Sequence, residues 1–197
     1  MFNKKEKIGF QIFINRFYLP LIIETVDNQA DLLQDEINKN LPPITFSKDQ
    51  TKFESAILLL KVSGYGLSQV NGIEQFSGQL AQLEDDFLNS NFSNVELNPK
   101  LLVDREEHSV FSDRWLYMSN KAKAYAKYEQ LYQQDKIRKE DFPFIISSIF
   151  FAHFCRFDNV NASLAHAIGE LHKGGLIYFH QKLATLANVY QVMPDNQ

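Results

Sequence analysis

Apolar residues recur at helical intervals over most of the chain. Phe53, Ala56, Ile57 and Leu60 fall on one side of a helix, and Ser47 with Gln50 three residues on makes a capping box ahead of them. Phe76, Leu80, Leu83 and Phe87 predict a further helix over about 73–88. Ser109 or Ser112 caps a helix running to about Gln134, which carries Trp115, Met118, Ala122, Tyr125, Leu131 and Tyr132. Asp141 with Pro143 opens the next, to about Phe157, through Ile145, Ile146, Ile149, Phe150 and Phe154. Proline is tolerated there because a first turn does not use its missing donor. Asn159 or Asn161 starts a helix that is expected to end at His172-Lys173, with Gly174 as a left-handed stop. Phe179, Leu183, Leu186 and Tyr190 then mark a last helix over about 176–190.

The beginning of the chain reads two ways. Ile8, Phe10, Ile12 and Ile14 alternate with more polar residues, as in a strand, whereas Phe10, Phe13, Phe17 and Leu21 share a helical face. Ile22, Val26, Leu32, Leu33 and Ile37 predict helix over 21–41, with a break at Asp27-Asn28 and an end at Pro42-Pro43. Leu58 to Val62 is apolar enough for a buried strand as well as a helix. The expected fold is all-α, a compact multi-helix bundle; the alternative is α+β with a small N-terminal sheet. One domain over 1–197 is expected, divisible into packed helical halves 1–90 and 105–192 joined by an irregular connection over 90–104. From Met193 on, the tail is expected to fray.

Composition adds a constraint. Phe, with 17 copies, brings aromatics to 13%, and that ring surface needs a core, a pocket or a partner. The net charge of -4 weighs against nucleic acid as a ligand, since phosphate contacts need a basic excess, and it suits a basic protein partner. Cys155 is the single cysteine, which excludes an internal disulfide and multi-cysteine zinc sites and points to a reducing, cytoplasmic setting. The most apolar window, 142–154, lies between Asp141 and Arg156 and is too short to cross a bilayer, so no membrane association is expected.

The candidate chemistry is sparse. Four of the five histidines lie between 153 and 180. His166 and Glu170, four apart, can face one divalent ion on a helix, and His153 or His180 from neighbouring helices would complete the site. The plainer reading pairs His166 with Glu170 on the surface and sets His172 at the helix end as a cap. Asp104-Arg105-Glu106-Glu107-His108 and Glu84-Asp85-Asp86 read as solvated edges. Lys121, Lys123 and Lys127 accompany Tyr125, Tyr128 and Tyr132, best explained as a half-buried tyrosine face with lysines outside. Gly64-Tyr65-Gly66 lacks the third glycine of a dinucleotide fingerprint, and no P-loop or G-x-S-x-G elbow is present.

These features lean away from an enzyme. The expectation is a cytoplasmic, non-enzymatic protein-binding protein, of the accessory or antidote type found in bacteria. No cofactor is implied beyond the divalent metal, and a homo-oligomer is compatible with this expectation. The alternative is a metal-dependent enzyme or small-ligand sensor with its pocket in the C-terminal helices.

Overall fold

The helical reading of the N-terminal stretch holds from Phe10 on; of the alternating residues only Ile8 lies in a strand, and Phe10, Ile12 and Ile14 are helical. Strand β1 (Glu6–Gly9) gives way at Phe10 to helix α1 (Phe10–Phe13), a π-helical turn over Ile14–Tyr18, and helix α2 (Leu19–Asn40). The widened turn lies where the Pro20 ring would otherwise meet the Arg16 carbonyl, and it relieves that clash without ending the helix. The computed structural model describes residues 5–40, 47–62, 67, 70, 72–97, 102, 110–134, 136 and 162–195. The helix expected over 141–157, with His153 and Cys155, lies outside them, as do Gly64-Tyr65-Gly66 and the 104–108 charge cluster.

No break occurs at Asp27-Asn28. Val26, Ala30, Leu33 and Ile37 are fully buried and carry the stripe through, while Asp27 and Asp31 stay outside and pair with Lys52 (2.6 Å) and Lys48. Helix α3 (Lys48–Val62) begins with the expected box: Gln50 donates its backbone N–H to Ser47 Oγ at 3.1 Å. Leu58 to Leu60 are therefore helical, not strand, and all three are buried. A 3-10 turn (Glu74–Phe76) leads into α4 (Ser77–Phe92), one turn longer than its apolar pattern predicts. Arg114 explains the extension by donating Nε to the Phe92 carbonyl at 2.7 Å and a terminal nitrogen to the Val95 carbonyl at 3.2 Å.

Ser112 caps α5 (Asp113–Gln133), accepting the Trp115 N–H at 3.3 Å. It is itself held by buried Asp85 of α4, which accepts the Ser112 N–H at 3.0 Å and its hydroxyl. The two helices expected over 159–190 are one, α6 (Ala162–Val189), so Gly174 stops nothing. The adjacent Gly175 is instead a point of close approach: the Gln29 amide of α2 lies against it and donates to the Leu171 carbonyl at 2.7 Å.

Strand β2 (Tyr190–Met193) pairs in parallel with β1, Glu6 opposite Tyr190 and Gly9 opposite Met193. Of the tail expected to fray, Met193 closes the strand, and beyond it Asp195 Oδ1 accepts the Gln11 N–H at 2.8 Å. The described fold is a helical bundle with this one small sheet. Its buried cluster joins residues from both sides of 90–104, among them Phe10, Tyr18, Ile22 and Phe53 with Tyr117, Met118, Phe179 and Leu183. Ring pairs such as Phe10–Phe76 (4.5 Å) and Tyr18–Phe179 (6.1 Å) tie the helices together. Among the described residues no helix is long and apolar enough to cross a membrane.

Candidate functional site

Among the described residues, polar chemistry concentrates inside the bundle and in a cleft on its surface. Inside, Tyr117 and Lys121 lie one turn apart on α5 and reach the same carboxylate of α3. The Tyr117 hydroxyl donates to Glu54 Oε1 at 2.6 Å and Lys121 Nζ to Glu54 Oε2. The ammonium also lies 5.3 Å from the centre of the Tyr117 ring. Lys121 is fully buried, contrary to the expectation of lysines outside a tyrosine face; the carboxylate of Glu54 is what draws it in. Lys123 is exposed as expected, and the side chains of Tyr125, Lys127, Tyr128 and Tyr132 lie outside the described residues.

His172 is buried in the middle of α6 and caps no helix end, because the helix does not end there. Burial lowers its pKa to about 4, helped by the charge of Lys121, so the ring is neutral at pH 7. On α4, Glu84 is buried too, against the expectation of a solvated edge. It accepts from the Tyr18 hydroxyl at 3.5 Å and faces Lys61 Nζ at 3.9 Å. Burial raises its pKa to about 7, against the opposing pull of Lys61 and of the Tyr18 hydroxyl. Lys61 in turn lies 5.6 Å from the Trp115 ring centre.

Among the described residues, the expected metal ligands His166, Glu170 and His180 do not converge. His166 and Glu170 share a face of α6 and are both exposed, but Glu170 lies 3.5 Å from Lys173 Nζ. His180 is half-buried on the same continuous helix, and the rise per residue sets it about 21 Å from His166 along the axis. One ion cannot bridge that span. His153 lies outside the described residues, and among the described residues no three His, Cys, Asp or Glu are grouped to hold a metal.

On the surface, a shallow cleft of about 230 Å³ runs between the Ile14–Tyr18 turn with the start of α2 on one side and α6 on the other. Arg16, Phe17, Pro20, Leu21 and Glu24 form one wall, and Lys182, Thr185 and Leu186 the other. Leu21, Phe17 and Leu186 are buried or half-buried and make an apolar floor, while Arg16, Glu24, Lys182 and Thr185 are exposed at the rim. Glu24 accepts the Tyr178 hydroxyl at 2.5 Å, which raises the phenol pKa. Lys182 Nζ lies 5.3 Å from the same ring. Sequence reading missed this cleft, because only its apolar stripe, Phe17 and Leu21, is visible as a pattern. The chain matches no protein-family model, no curated protein and no solved structure.

Proposed function

We propose that this chain is a non-enzymatic protein-binding protein that takes its partner on the outer surface of the α2–α6 pair. The surface cleft carries this reading: it turns two cations and an apolar floor outward. The most concentrated polar group of the described interior is turned inward, and Glu54 has both carboxylate oxygens engaged by Tyr117 and Lys121. A substrate would have to displace one of them. The cleft is also smaller than the roughly 300–1,000 Å³ typical of sites that enclose a small molecule, and suits one or two side chains of a partner.

Net charge alone suggests a basic partner. Asp27 and Asp31 of α2 are already matched by Lys52 and Lys48, while Arg16 and Lys182 line the cleft, which argues for a partner attracted to the cleft cations. A native pull-down from the cells that make the protein tests the reading. A single partner retained in fixed stoichiometry is the expected result. A monodisperse protein that retains nothing specific contradicts it. The metal reading rests on the shared face of His166 and Glu170, and a thermal shift on adding zinc or manganese would favour it instead.

A further inference from the structure

Resting on the binding function just proposed, we infer that the cleft between the Ile14–Tyr18 turn and α6 receives a short acidic-apolar segment of the partner protein. An apolar side chain of that segment enters over Phe17 and Leu186, and its carboxylates meet Arg16 and Lys182. The backbone favours this assignment. Arg16 and Phe17 both belong to the π-helical turn, so the local widening that accommodates Pro20 lies where a cationic and an aromatic residue line the cleft. Such single widened turns recur at functional sites.

Charge favours it as well. Two cations stand against one carboxylate, and that carboxylate, Glu24, already accepts the Tyr178 hydroxyl. A basic segment would bring like charge against Arg16 and Lys182, while a simple inorganic anion would leave the apolar floor uncovered.

The helix pairing sets the spacing. Phe17 meets Tyr190 (5.1 Å between rings), Glu24 meets Tyr178, and Gln29 meets Leu171, so the two walls run antiparallel. Lys182 therefore stands level with Leu21, five residues beyond Arg16, or roughly 8 Å along the axis. Two acids two residues apart on an extended chain, about 7 Å, come close to that interval.

Panning a random peptide phage library on the immobilised protein tests this, with the Arg16→Glu/Lys182→Glu variant as the counter-target. Both rim residues are exposed, and circular dichroism with a melting curve establishes that the variant is folded. The expected peptides combine Asp or Glu with Leu, Ile or Phe. A synthetic copy should bind the variant about tenfold or more weakly and weaken with salt. Basic or neutral peptides, peptides held equally by the variant, or no enrichment would overturn the assignment. So would a concentration-dependent dimer abolished by the same substitutions, which would make the occupant a second copy. A partner recovered by pull-down that binds the variant unchanged removes the cleft but leaves the binding function standing.

Discussion

Lys121 and Glu54 meet through Nζ and Oε2 deep in the bundle, one side chain 0% exposed and the other 3%. Removing one partner of such a pair leaves the other charged and dry, which costs far more than the pair contributes relative to apolar groups. Lys121→Ala should therefore lose about 3–5 kcal/mol of stability in urea unfolding. Glu54→Gln with Lys121→Met, which removes both charges and keeps the volume, should recover most of that loss. Tyr117→Phe should cost about 2 kcal/mol, since its hydroxyl donates to a charged acceptor. A double variant no more stable than Lys121→Ala would contradict the coupling.

Glu84 and His172 impose opposite pH dependences. Glu84 titrates near 7 when folded and near 4.5 otherwise, so between those values the folded state holds a proton that the unfolded state has released. Its contribution falls as pH rises through that window, by about 3 kcal/mol in all. His172 titrates near 4 when folded and near 6.5 otherwise, so there the unfolded state holds the extra proton and stability rises with pH. The two nearly cancel between pH 4.5 and 6.5. Relative to wild type, Glu84→Gln should expose a stability that climbs over that range, and His172→Asn one that declines. Parallel pH profiles for wild type and both variants would rule this out.

The two neighbouring glycines of α6 should respond differently to alanine. A Cβ at Gly174 meets nothing, so Gly174→Ala should stabilise the protein by up to about 1 kcal/mol through helix propensity. At Gly175 the new methyl displaces the Gln29 amide and its bond to the Leu171 carbonyl, which offsets the same gain. Gly175→Ala should thus be close to neutral in chemical denaturation. A full kcal/mol gain at Gly175 would show that Gln29 contributes nothing.

The parallel sheet closes against Gly72, whose φ is 88° and whose Cβ position lies 2.5 Å from the Val192 carbonyl oxygen. Gly72→Ala should cost about 1–3 kcal/mol from backbone strain, before any displacement of β2. Asp195→Ala, which removes the acceptor for the Gln11 N–H, should cost about 1 kcal/mol. Hydrogen exchange should then report faster opening at the start of α1 than in α3.

Helix starts were legible because their signals are local. Ser47 and Gln50 lie three residues apart, as do Ser112 and Trp115, and each pair does what its spacing implies. Gly174 misled because its neighbour is matched by Gln29, 142 residues before the Leu171 carbonyl that Gln29 reaches. The burial of Lys121 depends on a carboxylate 67 residues away, and that of Glu84 on a tyrosine 66 residues away. Neither separation leaves a periodicity to read. The cleft is illegible for the same reason: Lys182 comes opposite Leu21 through the antiparallel pairing of α2 with α6, whose ends β1 and β2 bring together.

Site-specific photo-crosslinking in the cells that make the protein tests the surface assignment most directly, with benzoylphenylalanine placed at Thr185 in the cleft or at exposed Lys123 on α5. One discrete adduct is expected from Thr185, lost when Arg16 is changed to Glu, and none of that mass from Lys123. No adduct from Thr185, or the same adducts from both positions, would contradict that assignment.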